Sequence, residues 1–312
     1  EVTKVSGLGG LWSGSIHEVG SLLDGKGPHW NFDLTADRMN AAELDRWVGP
    51  RARPNWLQRL LSSFLGRSSP NSEASALVRS VNAEGEVNLG ELTVEKLKFA
   101  NVHATASLRN FELDVLQADA QWAGGVVHAQ VHAAFAPQPR YEINARLVRV
   151  SLAEIPATSR FVERFAGFAS GAVRLETHGV GRDELLKTLV GDGEVQLKNI
   201  AFRGWDVDAS LADGQPQAGI SRWTSGSGAF TMRNRTVTVS ELKLESGREE
   251  TSLQGSVSFA RDADLTVETA ALGKRAGRVA RTAQARHVMK IRGPLDGPRV
   301  SVQEVAVRQP AD

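Results

Sequence analysis

The stretch GDGEVQLKNIAFRGWDVDASL, residues 191–211, decides the fold class of this chain. Apolar and polar side chains alternate along it with hardly a break, as they do in a strand with one buried face. Segment 127–135 alternates more cleanly still, with His128 and His132 on the polar face. Its other face carries Val127, Ala129, Val131, Ala133 and Phe135. The pattern predicts a mainly β protein.

Strands account for most of the remaining sequence. They are predicted at 171–177, 194–202, 205–211, 228–233, 236–244, 251–259, 264–269 and 286–292. In segment 86–115 the apolar phase changes twice, from odd to even positions and back. Alternation changes face only through an inserted residue, so each change predicts a turn or a bulge.

Helices are predicted to be few and short. Asn40 is a suitable N-cap for a helix at 41–48, and Pro54 suits the first turn of a helix at 54–65. Two further helices are expected near 157–168 and at 183–190.

Internal repetition predicts the domain organisation. GEVNL at 85–89 is matched by GEVQL at 193–197, and each leads to an ASL, at 106–108 and 209–211. A tryptophan followed by a short helix motif also occurs twice. We therefore predict two β-repeat units, the first at 1–155 with helices 41–48 and 54–65. The second is predicted at 156–312, with helices near 157–168 and at 183–190.

Composition excludes several classes of protein. The 312 residues carry 37 Lys and Arg against 36 Asp and Glu, and this balance argues against a nucleic-acid binder. Cysteine is absent, which excludes disulfides and thiolate chemistry. No apolar run has the length of a membrane span. Because residue 1 is Glu and no signal-like segment precedes it, the chain is expected to be an excised or processed portion of a longer protein.

Candidate chemical groups are sparse, and no cofactor is expected. His128 and His132 lie about 13 Å apart on a strand, too far to share one zinc ion, so a solvated strand face is the better interpretation. No phosphate-binding glycine loop and no nucleophile elbow occurs. Asp37 and Glu43 flank a helix start, where carboxylates satisfy free N–H groups, and a glycosidase pair is the alternative.

Small and aromatic side chains leave two questions open. Alanine fills little volume and is depleted in strands, yet it is frequent on the predicted apolar face. The alanines fit either tight packing between sheets or a trough. Trp12 and Trp122 occupy equivalent places in the repeat, and either pack under a helix cap or face a lipid or a partner.

The order of these segments resembles the AsmA family of bacterial envelope proteins, especially its C-terminal region. The matching segments are 33–47, 92–131, 146–155, 183–207, 225–246 and 291–302, the last being IRGPLDGPRVSV. The resemblance implies an elongated, twisted antiparallel β-sheet curled into a groove, with a few short covering α-helices. It also implies a periplasmic location and, in the full-length protein, an inner-membrane anchor that this chain lacks.

The resemblance further implies phospholipid transport towards the outer membrane, or maintenance of that membrane. Our first hypothesis is a non-enzymatic lipid-handling module whose apolar groove shields phospholipid acyl chains. The predicted groove lining is Val87, Leu89, Ala104, Ala106, Val127, Ala129, Val131, Ala133, Ile143, Ala145, Val195 and Leu197. The alternatives are a closed β-scaffold that assists outer-membrane assembly proteins without holding lipid, and a carbohydrate-active enzyme that uses Asp37 or Glu43.

Overall fold

The computed structural model describes residues 2–19, 29–43, 82–135, 138–156, 159–247, 249–271 and 286–305. Of these residues 76% lie in strands, and the strands form one mixed sheet with three short helices. The sheet has 16 strands, and each strand is the neighbour of the next one in sequence. The predicted mainly β fold with few, short helices is confirmed.

The strands follow the chain at short intervals. They are β1 Val2–Gly7, β2 Gly10–Glu18, β3 His29–Asn40, β4 Asn82–Val94, β5 Leu97–Arg109, β6 Glu112–Trp122, β7 Gly125–Ala134, β8 Arg140–Ser151, β9 Phe165–His178, β10 Val190–Asp206, β11 Gln217–Arg233, β12 Thr236–Ser246, β13 Glu249–Ser258, β14 Asp262–Ala271, β15 Arg286–Pro294 and β16 Arg299–Val305. The helices are a 3-10 turn at Val162–Arg164, α1 at Arg182–Thr188 and α2 at Val207–Asp213.

One strand pair departs from the antiparallel sheet that was predicted. β3 and β4 run parallel, with His29 opposite Asn82 and Asn40 opposite Thr93. A parallel pair needs a connection long enough to carry the chain back along the strand, and the segment between β3 and β4 supplies one. The other pairs from β1 to β7 and from β10 to β16 are antiparallel.

The predicted strand at 205–211 is wrong, because α2 begins at Val207. Asp206 caps this helix: its side chain accepts a hydrogen bond from the Ala209 N–H at 3.1 Å. Gly214 ends it in the left-handed conformation, with a φ of 69°. These local capping signals outweigh the alternation, so the second ASL of the proposed repeat lies on a helix and the first on a strand.

The other predicted elements have mixed outcomes. Helix 183–190 is confirmed as α1. The helix predicted near 157–168 is wrong over its described part, where only a 3-10 turn forms and β9 begins at Phe165. The helix at 54–65 and residues 44–48 of the first helix lie outside the described residues. The predicted strands other than 205–211 agree, to within one residue, with parts of β7 and β9 to β15.

A bulge and a turn explain the phase changes of segment 86–115, as predicted. Asn101 lies in β5 with a positive φ of 51°. The register between β5 and β6 shifts at this point, between Ala100 and His103. The bulge moves the apolar side chains of β5 from odd to even positions while they stay on one face, and the turn at Asn110 and Phe111 returns them to odd positions at the start of β6.

The chain divides into two compact units. Unit 1 comprises 1–146 and 174–189, and unit 2 comprises 147–173 and 190–312. The division at 155 and 156, which rests on sequence repetition, stays a prediction. Unit 1 has a small cluster of buried side chains, Ala36, Leu89 and Val102.

Unit 2 has a larger and well-filled core. Met289 is 0% exposed at its centre, and α2 inserts Val207 and Leu211 into the same cluster. Phe202 belongs to this cluster, and the ring of Phe165 packs against it at a tilt of 43° with ring centroids 4.8 Å apart. The indole of Trp223 donates a hydrogen bond to the fully buried Thr251 at 3.0 Å. The interior of unit 2 is thus packed by aromatic and branched side chains, with its buried indole satisfied.

The two GEV(N/Q)L segments share one packing detail. A Cβ placed on Gly85 would collide with the backbone carbonyl oxygen of Phe32 on β3 and would lie 2.7 Å from the ring of that residue. A Cβ on Gly193 would lie 2.6 Å from the ring of Phe230 on β11. In both segments the glycine therefore accommodates a phenylalanine from the neighbouring strand, which explains why the motif begins with Gly.

Candidate functional site

Unit 1 presents one continuous apolar surface across β2 to β7, which we call the apolar face. Cross-strand register sorts its side chains into four rows perpendicular to the strands. Row one is Trp30, Ala83, Leu108, Leu113 and Ala133; row two is Ile16, Phe32, Gly85, Ala106, Val115 and Val131; row three is Gly14, Leu34, Val87, Ala104, Ala118 and Ala129; row four is Trp12, Ala36, Leu89 and Val102, followed across the bulge by Ala120 and Val127.

Burial on the apolar face is uneven. Ala36 and Ala133 are each 3% exposed, because larger neighbours surround their small side chains. Phe32, Val87 and Val131 keep a partly exposed surface. Within the described residues of unit 1, extensive contacts join only neighbouring strands, and no helix packs broadly on β2 to β7. Six side chains of the face, Ala36, Leu89, Val102, Ala106, Val127 and Ala133, are buried at 9% exposure or less, and the others keep part of their surface exposed.

The middle of the apolar face is lined by small residues. Ala104 of β5 lies opposite Ala118 of β6, which in turn lies opposite Ala129 of β7. This run of alanines in row three lies between Val115 and Val131 of row two and Val127 of row four. Larger side chains on either side of small ones leave a shallow depression along row three, since a methyl group rises little above the sheet.

Most of the predicted groove residues meet on this face. The rows contain Val87, Leu89, Ala104, Ala106, Val127, Ala129, Val131 and Ala133. Ile143 and Ala145 lie on β8 in the same unit, half-buried and alternating with exposed Asn144 and Arg146.

Val195 and Leu197 belong to unit 2, on β10, opposite Gly228 and Gly226 of β11. Leu197 packs against the filled core of that unit. The structure therefore gives these two residues a place that differs from the apolar face of unit 1.

β2 and β3 also contribute to this face, which was not predicted. Trp30, Phe32, Leu34 and Ala36 alternate with polar residues in β3, and that signal is visible in the sequence. Their place beside β4 depends on the parallel pairing, which joins residues about fifty positions apart in the chain. Alternation identifies such a strand but not its neighbour.

The opposite surface of the same strands is polar and closely paired. The Nδ1 atom of His128 lies 2.5 Å from Oδ1 of Asp119, and Nδ1 of His132 lies 2.7 Å from Oδ1 of Asp114. His103 contacts Oδ1 of Asn88 at 2.7 Å. Each histidine thus has its own partner across a strand pair. Among the described residues, no group of three or more His, Cys, Asp or Glu side chains has metal-binding geometry.

Two of these polar groups have shifted ionisation. The side-chain hydrogen bond from Gln117, followed by the one from His128, lowers the pKa of Asp119. The hydrogen bond to Asp114 raises the pKa of His132, against the opposing effect of partial burial. Each of these two shifts favours the charged form of its group.

Asp37, one of the two candidate catalytic carboxylates, is bound to the backbone. Its Oδ1 accepts hydrogen bonds from the N–H groups of Leu11 at 2.7 Å and of Arg38 at 2.9 Å. The Leu11 hydrogen bond is the main reason that the pKa of Asp37 is lowered. A carboxylate held in this way secures the start of β2 against β3, and a lowered pKa is opposite to what a general acid needs.

A second concave region lies on the polar side of unit 2. It is a shallow cavity of about 430 Å³ beside the bulge in β12. Gln254, Thr266 and the ion pair of Arg292 with Asp264, at 3.0 Å, contribute to its lining. Its polar lining distinguishes it from the apolar face.

None of the described helices combines the length and the apolar character that spanning a bilayer requires. Comparison with family models, with curated proteins and with solved structures finds no match for this chain.

Proposed function

We propose that this chain is a non-enzymatic lipid-handling module whose apolar face in unit 1 shields phospholipid acyl chains from water. One observation supports this proposal most directly: four rows of apolar side chains lie on a sheet surface that no described helix covers. Apolar sheet surfaces that stay partly exposed mark sites for lipid, ligand or protein partners. The resemblance to the AsmA family favours lipid among these three.

The energetic case rests on the acyl chains themselves. A two-tailed phospholipid carries about 30 methylenes, and at roughly 0.8 kcal/mol each their exposure costs more than about 20 kcal/mol. A sheet surface of valine, leucine and alanine removes part of this cost without chemical catalysis. Because the backbone hydrogen bonds of β2 to β7 are already paired, such a wall keeps its structure while one face is exposed.

The proposed setting is the periplasm of a bacterial envelope, with the full-length protein anchored in the inner membrane. There the module would accept lipid during transport from the inner to the outer membrane. Outer-membrane assembly proteins are the proposed protein partners. The polar surface with its histidine–aspartate pairs would face water or those proteins.

Native mass spectrometry after gentle extraction tests this function. The protein is expected to carry bound phospholipid, released on mild activation and identified by its mass. The Val131→Arg variant, purified in parallel, is expected to lose most of that adduct. A clean apo mass for the unaltered protein, reproduced after incubation with phospholipid vesicles, would argue strongly against the proposal.

Unit 2 supports a second candidate function. Its interior is filled by the cluster around Met289 and closed on one side by α2. Such packing favours a β-scaffold that assists envelope assembly without holding lipid. If unit 1 also failed to bind acyl chains, the scaffold function would account for the whole chain.

A further inference from the structure

The apolar face has a tryptophan in row one and another in row four, and their indole N–H groups differ. In row four, Nε1 of Trp12 donates to the backbone carbonyl of Gly7 at 2.8 Å. In row one, Nε1 of Trp30 is buried and has no hydrogen-bond partner. Trp30 lies opposite Glu18 on β2 and Ala83 on β4, and the carboxylate of Glu18, an exposed residue, is not bonded to the indole.

A buried donor without an acceptor is unfavourable and uncommon in folded proteins. The other buried indole described above, that of Trp223, has Thr251 as its acceptor. The orphaned donor of Trp30 therefore indicates a missing acceptor at row one. The other residues of the row, Ala83, Leu108, Leu113 and Ala133, carry no side-chain acceptor, and the carboxylate of Glu18 at its end does not bond the indole.

We infer that Trp30 is a specificity-determining residue that donates its indole N–H to an ester carbonyl of a bound diacyl phospholipid. The lipid then lies with its ester end at row one and its methyl ends towards row four. This inference rests on the proposed function, because it assumes that acyl chains occupy the apolar face.

The geometry of Trp30 is compatible with such a role. The side chain as a whole remains partly exposed, although its Nε1 atom is buried. A turn of the indole towards the ligand breaks no hydrogen bond, because the donor has none to lose. A carbonyl oxygen is an acceptor that remains available within an apolar surface, whereas an ether oxygen is a much poorer one.

Matched lipids test the inference. Diacyl and dialkyl phosphatidylcholines of equal chain length differ only in whether the linkage is an ester or an ether. Each is titrated against the full chain carrying a fluorescent apolar probe. The unaltered protein is expected to bind the diacyl lipid about fivefold to tenfold more tightly, as one neutral hydrogen bond predicts. In Trp30→Phe this preference falls to about one, while affinity for the dialkyl lipid changes less than about twofold.

Trp12→Phe is the matched control. It removes an indole from the same face, but one whose N–H is already paired with Gly7. It is expected to keep the ester preference. If both variants lost the preference for diacyl lipid equally, or if Trp30→Phe kept that preference, the proposed role of Trp30 would be overturned. The proposal that the apolar face binds lipid would be unaffected by either result. If neither lipid displaces the probe from the unaltered protein, the proposed function itself fails.

A measurement on the unaltered protein covers the case in which Trp30→Phe does not fold. Infrared spectra of diacyl lipid labelled with ¹³C at both ester carbonyls are recorded in the bound state. One carbonyl band is expected to shift to lower frequency, as hydrogen bonding requires. Bound lipid whose carbonyl bands both match those in an apolar solvent would contradict the inference.

Discussion

Replacing Val131 by Arg tests the apolar face at its second row. Val131 lies opposite Val115 and is partly exposed, so a guanidinium there projects from the apolar surface. Successive rows are about 6.8 Å apart along a strand, so four rows extend over roughly 20 Å. A tail of about 16 methylenes laid along them places about four on each row, and a sheet covers only one side of the tail. Each row therefore removes about half of the surface of four methylenes from water. At about 0.8 kcal/mol per fully buried methylene, losing one row costs about 1.6 kcal/mol.

This loss corresponds to at least about a tenfold rise in the dissociation constant for a fluorescent fatty-acyl probe. The assay is a titration followed by the increase in probe emission, with thermal unfolding by circular dichroism recorded on the same samples. Gln130→Arg is the matched control, since it introduces the same charge one residue away on the exposed polar face. It is expected to change probe affinity less than about twofold. Equal affinities for the two variants, with both folded, would refute the assignment of the apolar face.

Three further expectations concern stability and ionisation. Met289→Ala, at a fully buried site, is expected to lower the free energy of unfolding by about 2–5 kcal/mol in urea titrations, and an unchanged midpoint would contradict the filled core. Burial, and after it the negative charge of Glu249, raises the pKa of Asp208, so the folded state binds this proton more tightly than the unfolded state does. The stability that the bound proton contributes is lost as pH rises through the raised pKa. Asp208→Asn should therefore raise the melting temperature more at pH 7 than at pH 4, and an equal rise at both would exclude this origin. The hydrogen bond to Asp114 raises the pKa of His132. The protonated His132 therefore stabilises the folded state fully below its ordinary pKa of 6.5, and this stabilisation is lost as pH rises through the raised pKa. NMR titration should show a lower His132 pKa in Asp114→Asn, and an unmoved titration would show that the hydrogen bond is not its cause.

Sequence alternation predicted the strands well because each strand has one apolar and one polar face. Segment 127–135 places Val127 and His128 on opposite surfaces of β7, as their spacing requires. The bulge at Asn101 was also predictable, because an apolar pattern that changes parity needs an inserted residue. These features depend on residues close together in the chain.

Two features needed more than alternation. Residues 205–211 alternate like a strand, yet Asp206 and Gly214 cap a helix there, and both caps are visible in the sequence. The parallel pairing of β3 with β4 has no such local signal, because it depends on contacts across a long connection. Eight of the predicted groove residues lie together on the apolar face because β4 to β7 are successive antiparallel strands. The β3 residues beside them were not predicted, because their position depends on the parallel pairing.

Strand order that follows chain order has a consequence for how the protein loses its structure. Each strand is held by the one before and the one after, so cooperativity passes from neighbour to neighbour as in a linear array of repeats. Damage at one hairpin should then spread only over a few strands, and unfolding should proceed in segments instead of one concerted step. Such an array can also gain or lose an adjacent pair of strands through a change in its gene without rebuilding the remainder, so its length is free to vary during evolution.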